Sequence, residues 1–91
     1  MAVERFLKDP DAVLDYEIDW STWLGTDTIN SSTWAADIGG ITIDSDTNTT
    51  TAAKVWLSGG TAGIRYTLTN SIVTAAGREE DRSIEIVCLE R

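Results

Sequence analysis

The chain has 91 residues, of which 42% are hydrophobic, so it is long enough for one folded domain and too apolar to be largely disordered. Its net charge of −8 argues against nucleic-acid binding, which requires a basic surface facing the phosphates. The acidic excess lies in residues 1–46, with ten acids and two bases, and it predicts either a solvated acidic face or one that matches a basic partner.

Residues 1–12 are expected to form an extended, charged N-terminal arm in which Phe6 and Leu7 are the large apolar residues. Pro10 restricts Asp9 to extended conformations, so the folded domain is predicted over residues 13–91. The N-terminus lacks the apolar run of a signal peptide, and no segment approaches the ~20 apolar residues of a membrane span. We therefore expect no membrane contact and synthesis in a reducing cytosol.

Apolar residues alternate with acids from residue 14 to 20, which predicts a strand with one buried and one charged face. Similar patterns, separated by glycine and polar clusters, predict further strands. They cover about residues 28–35, 41–43, 50–57, 64–74 and 82–89, with a polar loop at 44–48. A seventh strand is obtained only if residues 20–24 form a separate strand after a bend that follows the first one.

This series of short strands predicts an all-β fold: an immunoglobulin-like (fibronectin III-like) antiparallel β-sandwich of about seven short strands. Tyr66 follows Gly63 at the start of the penultimate strand, where its hydroxyl can turn back onto the preceding corner. Cys88 alternates with Ile84 and Ile86 and is expected to be a small buried residue.

The residue types offer little chemistry. There is no histidine, which removes Ser-His-Asp and Cys-His catalysis and most zinc sites. Asp44, Asp46 and Asn48 have the spacing of calcium ligands, but Thr49 and Val55 replace the glycine and glutamate of such a loop, so a solvated turn is favoured. We expect no enzyme activity, no cofactor and no metal.

Acidic side chains form a ladder on the first predicted strand at Asp15, Glu17 and Asp19. Alternate strand residues lie ~6.6–7 Å apart, a spacing that suits a glycosidase carboxylate pair. A hydrolase also needs a cleft, which a small sandwich rarely supplies. The ladder is therefore interpreted as a charged surface.

Four tryptophans are many for a chain of this length. Trp20 follows the inward phase of its strand, and Trp34 is expected to fill space between the sheets. Trp23 and Trp56 are out of phase with their apolar neighbours. Three interpretations of this pair stay open: a protein interface, core or loop packing, and a platform for sugars.

Several segments carry a family resemblance when they are taken together and in order. They are residues 8–20 (KDPDAVLDYEIDW), 41–44 (ITID), 55–63 (VWLSGGTAG), 66–70 (YTLTN), 76–78 (AGR) and 81–84 (DRSI). The set resembles a family of short proteins of tailed bacteriophages and prophages, the fiber-tail adaptor or neck and tail structural proteins. The resemblance spans about residues 8–91 and leaves out most of the N-terminal arm.

The resemblance implies a non-enzymatic virion protein with an immunoglobulin-like fold, assembled in the bacterial host cytoplasm. Copies would form a ring around the tail or neck and would link it to fibers or neighbouring tail proteins. Phe6, Leu7, Trp23 and Trp56 are then candidate contact residues. The alternative is a carbohydrate-binding module for host-surface attachment, in which Trp23 and Trp56 stack on sugars.

Overall fold

Seven strands and one helical turn form the structure, a computed structural model that describes residues 4–89. The strands are β1 (Glu4–Lys8), β2 (Leu14–Asp19), β3 (Ile29–Ala36), β4 (Ile41–Asn48), β5 (Ala52–Gly59), β6 (Arg65–Thr74) and β7 (Glu79–Cys88). The helical turn α1 (Ser21–Leu24) follows β2. The predicted all-β fold is confirmed.

The strands form two sheets, in the orders β1-β7-β6-β3 and β2-β5-β4. All neighbours are antiparallel except β1 and β7, which run parallel. Two sheets whose inner faces pack together are the immunoglobulin-like sandwich that the spacing of the strands predicted.

Alternating side chains from both sheets build the core. In β6 every second residue from Tyr66 to Thr74 is buried, and in β7 the same holds from Ile84 to Cys88. The predictions that Trp20 and Cys88 are buried are confirmed, since neither has exposed surface. Trp34 is half-buried and packs against this core.

The N-terminal segment differs from its predicted role as a separate arm. Residues 4–8 form the edge strand β1, which pairs with residues 84–88 of β7. Lys8 is fully buried, and its Nζ donates hydrogen bonds to the carbonyl oxygens of Asp9 (2.9 Å) and Gly59 (2.7 Å). The boundary at residue 13 therefore does not separate an arm from the sandwich; residues 1–3 of the expected arm lie outside the described residues.

Two local predictions are also corrected. Residues 20–24 contain the helical turn α1 and do not form a strand. The seventh strand of the sandwich is β1, at residues 4–8. Residues 44–48, expected to be a polar loop, extend β4 along β5 after a register shift at residue 43. Polar residues are compatible with a strand there because β4 is an edge strand and this part of it is exposed on both faces.

The corner before β6 is arranged as the position of Tyr66 predicted. The buried Tyr66 hydroxyl accepts a hydrogen bond from the backbone N–H of Thr61 at 3.0 Å. Gly40 and Gly60 pack against this region with φ angles of 110° and 98°. A Cβ at Gly60 would overlap the Cys88 Sγ, so the close approach of this loop to the core requires glycine.

Candidate interaction surface

Phe6 and Leu7, the two apolar residues of β1, have different surroundings. The Phe6 ring is half-buried against the core, with its centroid 5.1 Å from that of Tyr16. Leu7 is 48% exposed and lies opposite Val87 of β7. Alternation along β1 thus makes Phe6 a packing residue and leaves Leu7 available to a partner.

Trp23 has a packing role that its sequence position did not reveal. Its ring packs edge-on against buried Trp20 at a centroid distance of 5.4 Å, and the Arg78 guanidinium lies 4.2 Å over its centroid. The helical turn α1 directs the side chain onto the end of the core. Trp23 is thus half-buried and contributes to packing at the end of the core, and its role as a contact residue stays a prediction.

Trp56 is 38% exposed on the outer face of the sheet β2-β5-β4. It lies in the central strand, opposite Asp15 on one side and Ser45 on the other. Asp15 is also 3.7 Å from the Lys54 Nζ in an exposed ion pair. An aromatic side chain in this polar surrounding can contact another protein.

The acidic ladder also lies on this outer face. Asp15, Glu17 and Asp19 are exposed, as the alternation of β2 predicted. The pKa of Asp19 is lowered, chiefly because its carboxylate accepts the Ser21 N–H. The three carboxylates face solvent without a cleft around them, since residues 4–89 form no pocket.

Trp23 and Trp56 do not form one platform. Asp19 pairs with Ala52, and Trp56 is four residues farther along β5, or ~13 Å in an extended strand. Trp23 lies beyond Asp19, past the end of the sheet, and packs toward the core. The two rings therefore do not lie side by side, and the arrangement does not favour the carbohydrate-binding alternative.

The other candidate groups lie in strands β4 and β7. Asp44, Asp46 and Asn48 belong to strand β4, and Asp44 accepts a hydrogen bond from the Ser58 hydroxyl at 2.9 Å. No three acidic or cysteine side chains are grouped as a metal site in the described part of the chain. Burial raises the pKa of the Cys88 thiol, which favours its neutral form.

Further exposed apolar residues were not recognised as contact candidates from the sequence. The set consists of Val13, Leu14, Ile38, Ile64 and Leu89, each at least 39% exposed. Ile38 precedes a glycine pair and Ile64 follows a glycine. An apolar residue beside turn glycines was the sequence feature that could have identified these two as exposed. None of the helical structure in residues 4–89 has the length and apolarity that a membrane span needs.

Comparison with known proteins supplies the family. A sequence profile described as "Podophage GP4 fiber-tail adaptor protein gp77" matches residues 8–87. The chain belongs to this family. The match covers β2 to β6 entirely, β7 except its last residue, and only the last residue of β1. The family resemblance of the sequence segments is thereby confirmed. No curated protein matches the chain.

One solved structure similar to this adaptor-family chain is the "Solution structure of the PKD domain from KIAA 1837 protein". The TM-score is 0.58 at 17% sequence identity, and the match covers 98% of this chain and 81% of that chain. At this identity the likeness shows the fold alone, and it agrees with the immunoglobulin-like sandwich described above.

Proposed function

We propose that this chain is a non-enzymatic virion protein that links the phage tail or neck to fibers or to neighbouring tail proteins. The observation that carries the proposal is the match of a fiber-tail adaptor family over residues 8–87. The sandwich supplies a rigid spacer, because both sheets share one core and short loops connect their strands. Several copies would surround the tail or neck as a ring.

The surface chemistry supports protein contacts. Leu7 and Trp56 are the more exposed of the four sequence candidates, since Phe6 and Trp23 are half-buried, so these two are proposed as contact residues. Exposed acids, including the ladder of β2, favour a partner with a basic surface and oppose contact with phosphate backbones. The carbohydrate-binding alternative receives no support from the arrangement of the tryptophans.

The proposal is tested by adding the purified chain to tail particles of its own phage that were assembled without it. We expect the chain to bind these particles until a fixed copy number is reached, measured by quantitative mass spectrometry of sedimented particles. Particles of an unrelated phage serve as the control. If the chain does not bind its own particles, or binds both kinds without saturation, the adaptor function is wrong.

A further inference from the structure

Six of the exposed large apolar side chains lie at one end of the sandwich. Strands β1, β5 and β7 end there and β2, β4 and β6 begin there, as shown by the pairs Lys8–Cys88, Leu14–Leu57 and Ile41–Gly59. The apolar side chains at this end are Leu7, Val13, Leu14, Ile38, Ile64 and Leu89. We call this set the apolar end. Exposed apolar residues that are grouped in this way are typical of an interaction site.

Hydrogen bonds join the segments that carry the apolar end. The Leu89 N–H donates to the Lys8 carbonyl oxygen at 2.9 Å, and the Cys88 N–H donates to the Ile64 carbonyl oxygen at 3.0 Å. The Gly60 N–H donates to the Gly40 carbonyl oxygen at 2.9 Å, which connects the loop after β5 with the loop that contains Ile38. The surface is therefore held in place before binding, which lowers the entropic cost of association.

The apolar end also carries negative charge. Its loops, residues 9–13, 37–40 and 60–64, contain Asp9, Asp11 and Asp37 and no basic residue. Lys8 is buried and bonded to backbone carbonyl groups, so it does not offer its charge to a partner. Arg65, which begins β6 at this end, shares the Glu85 carboxylate (3.3 Å) with Arg5 (2.6 Å). These three side chains leave one positive charge against the three carboxylates of the loops, so the balance at this end stays negative.

The opposite end of the molecule has different surroundings for its aromatic and basic side chains. There Arg78 pairs with Asp27 at 3.0 Å and covers Trp23, while the Arg82 guanidinium lies 4.2 Å over the ring of Trp20. The aromatic rings of Trp20 and Trp23 at that end are thus covered by basic side chains of the same chain. The apolar end therefore combines six exposed apolar side chains with the carboxylates of Asp9, Asp11 and Asp37.

We propose that the apolar end is the surface with which the adaptor docks, and that its partner is a protein surface with an apolar centre surrounded by lysine or arginine. This inference rests on the proposed function and names the contact. Two copies joined through this end would bring Asp9, Asp11 and Asp37 of each chain together, so charge disfavours self-association there. The same acids disfavour nucleic acid and anionic membranes.

The size of the end sets an expectation for affinity. The molecule measures 42 × 25 × 19 Å, and its strands follow the long dimension. The end therefore presents roughly 500 Å², less than the ~800 Å² per partner of a standard protein interface. A single contact is weak on this basis, and several copies on one particle would bind more firmly than one copy in solution.

The test compares variants of the full chain in the particle-binding assay. Val13→Ser combined with Ile38→Ser removes apolar surface from loops, where no core packing is lost, and Trp56→Ser removes apolar surface from the sheet face instead. Asp11→Lys reverses a charge at the apolar end. Asp46→Lys makes the same change on exposed β4, away from that end. Circular dichroism and melting curves verify that each variant is folded.

We expect the double serine variant to raise the half-saturating concentration at least ~10-fold, and more than Trp56→Ser does. Asp11→Lys should weaken binding several-fold at low salt, with a smaller effect at high salt, whereas Asp46→Lys stays within ~2-fold of the unmodified chain. If the unmodified chain binds and the double serine variant binds equally well, the apolar end is not the docking surface and the adaptor function stands. If the unmodified chain does not bind, both proposals fail.

Discussion

Asn70 is a fully buried polar residue at the centre of the sandwich. Its Oδ1 accepts the Trp20 Nε1–H at 2.9 Å, and its Nδ2 donates to the Ser32 hydroxyl at 2.8 Å and the Thr33 carbonyl oxygen at 2.9 Å. Asn70→Ala would leave the buried Trp20 Nε1–H without a hydrogen-bond partner and would remove the bonds to Ser32 and Thr33. We expect the free energy of unfolding, measured by urea denaturation, to fall by ~2–4 kcal/mol.

Asn30 provides the matched control for this substitution. It lies on the edge strand β3 and is exposed, so Asn30→Ala makes the same chemical change without burying an unpaired group. Its effect on the free energy of unfolding should stay within ~0.5 kcal/mol. Equal losses for the two variants would show that the hydrogen bonds of Asn70 do not stabilise the core.

Asp27 is predicted to make the free energy of unfolding decrease at acidic pH. Its pKa is lowered from 3.8 to about 2, first by a hydrogen bond from the Thr74 hydroxyl and then by Thr28, Arg78 and Ala76. Because the folded pKa lies below the unfolded one, the stabilisation is complete above about pH 4 and is lost as the pH falls through about 2. Urea denaturation of Asp27→Asn should show a weaker pH dependence between these values.

Asp46→Asn is the control for the acid experiment, since Asp46 lies exposed on β4. This variant should keep the pH dependence of the unmodified chain between pH 4 and 2. If Asp27→Asn also kept it, the hydrogen bonds around Asp27 would not be the source of the acid sensitivity.

At the scale of elements, β1 depends on Lys8 as well as on its pairing with β7. The buried Lys8 Nζ joins the end of β1 to Gly59 at the end of β5 and so connects the two sheets. Lys8→Met keeps most of the apolar stem but removes both hydrogen bonds to carbonyl groups. We expect a loss of ~2–4 kcal/mol in the free energy of unfolding, measured by urea denaturation.

Arg5→Met is the control on the same strand. Arg5 pairs with Glu85 at 2.6 Å, but its side chain is 60% exposed, and exposed ion pairs contribute ~1 kcal/mol or less. A larger loss from Arg5→Met than from Lys8→Met would contradict the assignment of Lys8 as the group that holds β1 in the sandwich.

At the scale of the whole molecule, the protection of backbone amides from hydrogen exchange should depend on the position of each strand in its sheet. Strands β5, β6 and β7 each have a hydrogen-bonded neighbour on both sides, whereas residues 44–48 of β4 lie exposed at an edge. Amide hydrogen exchange should therefore be slowest in the three inner strands and faster in residues 44–48. Equal protection of β4 and β6 would contradict the strand order described here.

Several features of the fold and the surface could be predicted from local sequence patterns. Alternation identified β2 and its acidic face, the inward phase placed Trp20 and Cys88 in the core, and the position of Tyr66 indicated the corner before β6. Each depends on residues that are close in the chain, because side-chain direction in a strand repeats every two residues. The set of short sequence segments, taken in chain order, likewise indicated the adaptor family.

Contacts between distant residues were decided by the tertiary structure alone. Three such contacts join residues 51 to 80 positions apart. Phe6 pairs with Ile86, the Lys8 Nζ donates a hydrogen bond to the Gly59 carbonyl oxygen, and the Arg78 guanidinium lies over the Trp23 ring. A local pattern states which face of a strand is apolar, but it does not state which strand lies beside it. For the same reason only the folded chain brings apolar residues from four separate loops and strand ends together as the apolar end.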